Sequence, residues 1–344
     1  MISAIVNELK MRAKEYNTEL VETIYLGGGT PSILKKNEVS TIIDTAKENY
    51  KLSADFELTL ECNPDDCSEE NLKFWRSIGF NRLSIGIQSL EEKQLDWMNR
   101  AHNSNESIKA VMLAHACGFE NITVDLIYGL PDLSIERWKE TIQIVAKLPI
   151  NHISAYCLTV EEKTPLASWV KTGKIHPSTN FEQSEQFITL IDSLESFGFE
   201  QYEISNFARN HAYSRHNTAY WQNKKYLGIG PSAHGFDGET RYWNIANNQT
   251  YMKSIEQRIL PQETECLTNH DRFNERIMVG LRTKWGVSLS ELKTYLDLDN
   301  EWLNQVKTFQ NEGLLLVSED DLILTEAGKL QADAIASDLF KLSN

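Results

Sequence analysis

Strand-like and helix-like segments alternate through the first 200 residues, and this alternation most strongly limits the fold. Five short apolar runs each end in glycine or a polar residue, and the successive ends are 34, 27, 37 and 34 residues apart. Those ends are Gly27, Glu61, Gln88, Asp125 and Thr159. This spacing fits repeated βα units joined by right-handed crossovers. The sequence therefore predicts an α/β fold with a parallel sheet or barrel.

The element boundaries follow from apolar periodicity and from helix start and stop signals. We place strands at residues 23–27, 56–62, 82–88, 121–127 and 152–159, with a further candidate at 202–207. Helices are predicted at residues 1–18, 37–50, 68–78, 104–115, from 134, 179–197, 247–258 and 270–281. Ser89–Glu92 and Thr179–Glu182 both match the capping-box pattern.

Glycine and polar side chains follow the predicted strands at their carboxyl ends. In barrels and open α/β sheets alike, the ligand binds at that edge. Three consecutive glycines, 27–29, remove every Cβ where the first strand ends, so a ligand can touch backbone there. We expect one site to contain Gly28, Gly29, Thr30, Glu61, Gln88, Arg100 and Asp125.

The residue types in this set indicate what the site binds. Glycine amides and carbonyls suit a zwitterionic amino-acid group. A carboxylate such as Glu61 or Asp125 suits ribose hydroxyls or an ammonium group, and Arg100 suits a carboxylate. A nucleoside joined to an amino acid satisfies all three. The consecutive glycines disfavour a dinucleotide fingerprint, and the absence of a following Gly-Lys-Ser/Thr excludes a Walker loop.

Composition narrows the class of protein. The 344 residues carry a net charge of −15, which argues against a nucleic-acid partner. No apolar run approaches the ~18 residues of a membrane-spanning helix, and the chain opens without a secretory signal, so we expect a cytoplasmic protein. The five cysteines are an odd number without a CxxC pair, and we interpret them as buried or incidental thiols.

The C-terminal part departs from the βα rhythm. Residues 286–344 predict two short helices, a hairpin and a last helix, which is a winged-helix-like α+β pattern. This segment holds 4 lysines, no arginine and 11 acidic residues, so its net charge is −7. Such a surface repels phosphates, and we interpret the segment as a protein-contact or lid element. The predicted domains are 1–200, 201–285 and 286–344.

Several motifs together resemble a known family. The order and spacing match the radical S-adenosylmethionine (SAM) proteins of the oxygen-independent coproporphyrinogen III oxidase group over most of the chain. The motifs are Gly27-Gly28-Gly29-Thr30-Pro31-Ser32, Glu61-Cys62-Asn63-Pro64, Ser84-Ile85-Gly86-Ile87-Gln88-Ser89 and Asp125-Leu126-Ile127-Tyr128-Gly129-Leu130-Pro131. The resemblance implies that the glycine turn contacts the methionyl end of SAM and that Glu61 holds the ribose. It also implies that Gln88, Arg100 and Asp125 lie in the SAM region.

A second segment narrows the resemblance to the heme-chaperone subgroup of that family. It consists of Arg215-His216-Asn217-Thr218-Ala219-Tyr220-Trp221 and the glycine-rich run 226–235. A histidine beside aromatic rings can ligate heme iron and stack on the macrocycle. The resemblance therefore implies heme binding at His216, Tyr220 and Trp221.

One family motif is missing from this sequence. Radical SAM proteins carry CxxxCxxC, whose thiolates bind a [4Fe–4S] cluster, and this chain contains no such triplet. We expect a partial (β/α)6 barrel lacking its first strand, in a chain that begins inside a longer family member, with the edge of strand 23–27 exposed. No metal ligand is assigned, and no radical chemistry is expected.

Three functions compete at this point. The first is a heme chaperone that binds heme and SAM and passes heme to an acceptor protein. The second is an oxygen-independent coproporphyrinogen III oxidase, which needs the absent cysteines. The third is an ordinary β/α enzyme, which the motif matches disfavour. The implied partners are heme or porphyrin, a heme-acceptor protein and a transient membrane-protein partner, and the oligomeric state stays open.

Overall fold

The computed structural model describes residues 1–16 and 18–342, so the predictions that fall on residue 17 and on 343–344 lie outside it. Within the described residues the chain divides into two compact units. The first contains Met1–Glu22, Lys35–Phe56 and the chain from Arg215, and the second contains Thr23–Leu34 and Glu57–Ser214. The three predicted domains therefore stay a prediction.

A seven-stranded sheet has the order β1-β2-β3-β4-β5-β7-β6. Its strands are β1 Leu20–Leu26, β2 Lys51–Cys62, β3 Arg82–Gln88, β4 Asn121–Tyr128, β5 His152–Cys157, β6 Glu200–Glu203 and β7 Asn206–Ala208. Strands β2 to β5 pair in parallel, and β7 joins β5 in the antiparallel direction. The fold is thus α/β as predicted, and β1 lies at one edge of this sheet.

Helices connect the strands; those at 36–49, 69–78, 104–116, 135–146 and 180–196 lie near the predicted places, whereas those at 92–97 and 165–171 were not predicted. They are α1 Ile2–Arg12, α2 Lys36–Asn49, α3 Glu69–Ile78, α4 Glu92–Trp97, α5 Ser104–Ala116, α6 Ile135–Ala146, α7 Pro165–Lys171 and α8 Asn180–Ser196, with 3₁₀ turns at Pro31–Ile33 and Pro64–Asp66. The capping box at Thr179 is present. The helices and strands put aliphatic and aromatic side chains into the core, among them Leu58, Leu60, Leu83, Ile85 and Val124, all fully buried.

Three sequence predictions differ from the structure. The first helix ends at Arg12 instead of residue 18, because the polar residues after it have no apolar face to bury. The capping box at Ser89 does not form: its hydroxyl donates to Gln94 instead, and Glu91 precedes the helix. The candidate strand 202–207 is split into β6 and β7, which form an antiparallel pair.

The chain after β7 contributes helices and the strands of two three-stranded sheets. They are α9 Arg215–Trp221, β8 His234–Phe236, β9 Thr240–Asn244, α10 Asn248–Glu256, β10 Gln262–Cys266, α11 Asn269–Gly280, β11 Val287–Ser288, α12 Leu289–Tyr295, α13 Asn300–Asn311, β12 Leu315–Ser318, β13 Asp321–Leu324, α14 Glu326–Lys329 and α15 Ala332–Asp338. Strands β12 and β13 form the predicted hairpin, and β11 pairs with β13. Two helices and a hairpin thus follow residue 286, as the sequence predicts, whereas two short helices, α14 and α15, replace the single last helix.

A buried ion pair ties α1 to the glycine-rich segment of the same unit. Arg12 donates from Nε to Glu8 Oε1 at 2.8 Å, and both side chains are almost fully buried. Glu8 Oε2 accepts from the amide of Gly230 at 2.8 Å and from the Tyr251 hydroxyl at 2.6 Å. Asn244 completes the network by donating to Glu8 Oε1 at 2.7 Å. Because every oxygen is hydrogen-bonded, this charge pair is tolerated in the core.

Candidate functional site

The glycine turn after β1 is fastened to the end of β2. The amide of Gly28 donates to Oε2 of Glu61 at 3.1 Å, and the Tyr25 hydroxyl donates to Oε1 at 2.7 Å. Gly28 has a φ of 78°, a conformation that favours glycine. Residues 27–29 are exposed, so their remaining backbone groups are open to a ligand.

Gly27 is needed for this approach. A Cβ there would lie 2.5 Å from Oε1 of Glu61 and would also clash with the Tyr25 ring. A Cβ at Gly28 or Gly29 would meet nothing within 4 Å. Gly27 therefore admits the carboxylate, whereas Gly28 and Gly29 leave open space in front of it.

Thr30 directly follows the three glycines of the turn. It precedes the Pro31–Ile33 turn, and its carbonyl accepts from the amide of Ile33 at 3.2 Å. Two residues further, Ser32 donates from its hydroxyl to Asp66 at 2.6 Å. The glycine turn and the residues after it are thus connected to the end of β2 at Glu61 and to the following loop at Asp66.

A second group of site residues meets at the end of β3. The pairing of β3 with β4 is irregular between Ile85 and Gln88, and Gln88 has a φ of 62°. Arg100 Nη2 donates to Asn63 Oδ1 at 2.7 Å and to the carbonyl of Gly86 at 3.1 Å. A Cβ on Gly86 would lie 2.7 Å from Gln88 Nε2. The bulge therefore turns Gln88 back over Gly86, beside Arg100.

Asp125 on β4 is held by its neighbour on β3. The Ser84 hydroxyl lies 3.1 and 3.0 Å from the two carboxylate oxygens of Asp125. Ser84 is also the register partner of Glu61 on β2. Burial raises the pKa of Asp125 to about 6, and the negative Glu61 adds to this, against the hydrogen bond from Ser84. Glu61 and Ser84 thus share one row of the sheet, and Asp125 lies two residues beyond Thr123, the register partner of Ser84 on β4.

Sequence reasoning missed three residues of this arrangement, namely Tyr25, Asn63 and Ser84. Asn63 lies two positions after Glu61, and alternate residues of a strand share a face, so that spacing is a usable signal. Ser84 lies in a quoted motif but inside the strand, away from the carboxyl end. Tyr25 has no local signal, because only the pairing of β1 with β2 brings it to Glu61.

The residues predicted to bind heme lie in the other unit, on the short helix α9. The rings of His216 and Tyr220 meet edge to face with centroids 5.1 Å apart, as expected for positions i and i+4. Tyr220 in turn meets Tyr226 at 4.6 Å. The Tyr220 side chain is 40% exposed. The structure thus brings His216 next to an accessible aromatic surface.

Trp221 faces a different environment from His216. The guanidinium of Arg282 lies 5.7 Å from the centre of its ring, and its carbonyl accepts from Arg276 at 3.2 Å. The indole Nε1 is buried and has no hydrogen-bond partner. Trp221 therefore packs between α9 and the segment around α11, one position past the face that His216 and Tyr220 share.

Burial also sets the protonation of His216. It lowers the pKa of this imidazole to about 4. The ring is therefore neutral at pH 7, which is the form that ligates a metal. In a neutral imidazole one ring nitrogen carries the proton, and the other is the kind of atom that binds a metal.

The donor set for an iron–sulfur cluster does not fit. Cluster ligation needs several thiolates that converge. Of the free cysteines, Cys62 and Cys67 lie together, while Cys117, Cys157 and Cys266 stand elsewhere in the sequence. No group of three His, Cys, Asp or Glu side chains suited to a metal ion occurs in residues 1–16 and 18–342. The thiols of the described residues therefore do not form the three-cysteine site that such a cluster needs.

Two family models match this chain. Residues 2–145 match the radical SAM superfamily, and residues 267–330 match the HemN C-terminal domain. Among solved structures, coproporphyrinogen III oxidase (HemN) of Escherichia coli superposes with a TM-score of 0.83 at 22% identity, covering 98% of this chain and 82% of that one. At that identity the likeness establishes the fold, which is the radical SAM half-barrel with a HemN-type C-terminal part.

Curated relatives match at higher identity. The heme chaperone HemW of Bacillus subtilis is 34% identical over 92% of this chain and 84% of its own length. HemW of Mycobacterium tuberculosis is 32% identical over 98% of this chain and 85% of its own. Radical S-adenosyl methionine domain-containing protein 1 of Bos taurus, a mitochondrial protein, is 32% identical over 92% of this chain and 74% of its own. The chain therefore belongs to the HemW family of the radical SAM superfamily.

Proposed function

We propose that this protein is a heme chaperone that binds heme and delivers it to an acceptor protein. Support comes from relatives named heme chaperone HemW, which are 30–34% identical over most of the chain. The observation that carries the proposal is the pairing of a neutral imidazole, His216, with the accessible ring of Tyr220.

His216 is the proposed iron ligand. Desolvation lowers the pKa of its imidazole to about 4, so the ring is neutral at pH 7, which is the protonation state in which histidine ligates iron. Tyr220 offers an exposed ring on which the porphyrin can stack. Trp221 stabilises α9, since its ring packs against the guanidinium of Arg282. In this proposal His216 and Tyr220 touch the heme, whereas Trp221 holds the helix that presents them.

The second proposed ligand is SAM, at the strand ends of the sheet. The exposed backbone of Gly28 and Gly29, with the adjoining Thr30, would receive the methionyl end, and Glu61 would accept from the ribose hydroxyls. Gln88, Arg100 and Asp125 complete the lining. Glu61 is already oriented by Tyr25 and Gly28. A carboxylate held in place binds hydroxyls at lower entropic cost than a free one.

The oxidase alternative is less well supported. Oxidative decarboxylation by a radical SAM enzyme needs the cluster whose thiolates this chain does not contain. The solved HemN structure supports the fold and, at 22% identity, nothing finer.

Partners and location complete the proposal. The acceptor is a heme-binding protein, transiently engaged and including membrane-bound ones, and no nucleic acid is involved because the chain carries a net charge of −15. The described helices are too short or too polar to cross a bilayer. A cytoplasmic location is our expectation for this chaperone.

Heme titration tests the chaperone proposal. We expect a Soret shift that saturates near one heme per chain and weakens at least about tenfold in His216→Ala, because a ligand bond is lost. His211→Ala is the matched control, since it removes an exposed histidine of the other unit. Unchanged binding in His216→Ala, or equal loss in both variants, would reject the ligand assignment.

Equilibrium dialysis with labelled SAM tests the second site. Glu61→Gln should weaken SAM binding about tenfold or more, because a carboxylate hydrogen bond is stronger than an amide one. Tyr25→Phe removes the hydroxyl that orients Glu61 and should have a smaller effect in the same direction. If Glu61→Gln binds SAM as the unaltered protein does, this carboxylate does not contact the ligand.

A further inference from the structure

Two buried cysteines lie in contact directly behind the proposed SAM site. The Sγ of Cys67 donates to the Sγ of Cys62 at 3.6 Å and also lies 3.4 Å from the carbonyl of Asn63. Both thiols are free, and both residues are buried. The heme and SAM proposals leave this pair without a role.

The position of the pair follows from the strand geometry. Cys62 is the last residue of β2 and lies between Glu61 and Asn63. Since successive strand residues point to opposite faces, Cys62 faces away from the two site residues. The Pro64–Asp66 turn then brings Cys67 back to the same side. Cys62 and Cys67 therefore lie at the two ends of the segment 63–66, which follows Glu61 and Cys62.

We propose that Cys62 and Cys67 form a reversible intramolecular disulfide when the protein meets a small disulfide oxidant such as oxidised glutathione. Closing the bond requires the two sulfur atoms to move from 3.6 Å to about 2.05 Å. The contact in the folded chain gives the second thiol a high effective concentration, which favours the internal disulfide over a lasting mixed one.

The exchange balances in two steps. The Cys67 thiolate attacks one sulfur of oxidised glutathione, which breaks that S–S bond and releases one glutathione. Cys62 then loses its proton to solvent and attacks the Cys67 sulfur, which releases the second glutathione. The dithiol loses two electrons and two protons, and one oxidised glutathione becomes two reduced molecules.

The environment of the pair makes this reaction slow and selective. Contact with Cys67 and burial raise the pKa of the Cys62 thiol well above its usual value, so the thiolate fraction is small at neutral pH. Attack also requires the loop to open, because both sulfurs are covered. Brief exposure to oxidant therefore leaves the pair reduced, whereas prolonged exposure closes it.

Closure acts on the proposed SAM site through the neighbours of Cys67. Asp66 accepts from Ser32, which follows the glycine turn, and Asn63 accepts from Arg100. Drawing Cys67 toward Cys62 shifts both acceptors. The oxidised protein should therefore bind SAM more weakly, and this second part of the inference rests on the proposed function of the site.

Peptide mass spectrometry tests the disulfide itself. The full chain is held for hours with oxidised glutathione at pH 8.5, alkylated and digested. We expect a product two hydrogens lighter that links Cys62 to Cys67, and its loss on treatment with dithiothreitol. Cys266 is exposed and should carry a mixed glutathione disulfide, which verifies that the oxidant acted. Full alkylation of both Cys62 and Cys67 beside a modified Cys266 would overturn the proposal.

Variants separate the pair from the other thiols. Cys67→Ser should abolish the linked peptide, and Cys266→Ser should leave it intact. The measurement on the unaltered chain needs no variant, so it decides the proposal even where Cys67→Ser fails to fold. A linked peptide that joins Cys62 to any other cysteine would also contradict the assignment.

Dialysis with labelled SAM then tests the coupling. The oxidised protein should bind SAM at least about threefold more weakly than the reduced protein, with full recovery after dithiothreitol. Equal affinity of the two forms would reject the coupling while the disulfide stands. If the reduced protein binds no SAM, the proposed SAM site fails, and the mass result is unaffected by that failure.

Discussion

The amide of Gly28 and the carboxylate of Glu61 form a hydrogen bond of 3.1 Å between the ends of two neighbouring strands. The bond occupies one carboxylate oxygen from the turn side, and Tyr25 occupies the other. Each oxygen retains a further lone pair for a ligand. The turn and the carboxylate therefore form one unit, and a change in either should affect both.

Alanine substitutions at Gly27 and Gly29 distinguish a glycine that packing requires from one that ligand access requires. Gly27→Ala should destabilise the fold, because its Cβ would collide with Glu61 and Tyr25. Gly29→Ala meets nothing within 4 Å and should leave stability unchanged while it weakens SAM binding. Urea unfolding and SAM dialysis on both variants measure the two effects. Loss of stability in Gly29→Ala equal to that in Gly27→Ala would contradict this division.

The raised pKa of Asp125 makes stability depend on pH. The pKa of Asp125 is about 6 in the folded chain, against 3.8 for the free side chain. Between these two pH values the folded chain keeps a proton on Asp125 that the unfolded chain has lost. The free energy of unfolding contributed by this group is therefore highest below pH 4 and falls as pH rises to 6. Asp125→Asn removes the effect and should be about 1–3 kcal/mol more stable than the unaltered chain at pH 7.

Urea unfolding at pH 4.5, 5.5 and 7 measures this difference. The two proteins should have similar stability at the lowest pH and diverge as the pH rises. Ser84→Ala is a useful companion, because it removes the hydroxyl that stabilises the ionised carboxylate and should enlarge the loss at pH 7. Parallel stability curves for Asp125→Asn and the unaltered chain would show that the carboxyl titrates normally.

Heme binding should be insensitive to pH over an unusually wide range. Because burial lowers the pKa of His216 to about 4, its imidazole stays neutral from pH 8 down to about 5. Soret titrations at unit pH steps should give a constant affinity across that window, and circular dichroism verifies folding at each step. An affinity that falls with a midpoint near 6.5 would indicate an exposed histidine ligand instead.

The buried ion pair of α1 should contribute strongly to stability. Arg12→Ala leaves Glu8 buried without its cation, which costs about 3–5 kcal/mol in comparable cases. Lys224→Ala is the control, because it breaks a solvent-exposed pair with Glu22 in the same unit and such pairs contribute little. Thermal unfolding of both variants provides the comparison, and equal melting temperatures would refute the assignment.

The order of strands and the edge that carries the site were predictable because both follow from local patterns. Apolar runs, glycine breaks and helix caps recur with a βα period, and parallel strands bring their carboxyl ends together. Glu61 and Gln88 do lie at the ends of β2 and β3, whereas Asp125 lies inside β4, which continues to Tyr128. The helix α9 was not predicted from the sequence, and its four-residue spacing puts Tyr220 beside His216.

The remaining features depend on contacts that local patterns do not contain. A bulge precedes Gln88, whose φ is positive. The next residue, Ser89, does not cap the helix that follows. The sequence likewise held no sign that Glu8 would contact Gly230, 222 residues away. Trp221 was assigned with His216 because both lie in the motif that carries the family resemblance, whereas the helix turns its ring toward Arg282.

The bond between Glu8 and Gly230 also constrains the course of synthesis. The 222 residues between them take the ribosome on the order of 10–45 s at about 5–20 residues per second. During that interval the carboxylate of Glu8 has none of its distant partners, and α1 cannot bury it without cost. The strands between Glu57 and Ser214 leave the ribosome before Gly230 does and can already pair. The residues of α1, although they are made first, therefore reach their final environment late.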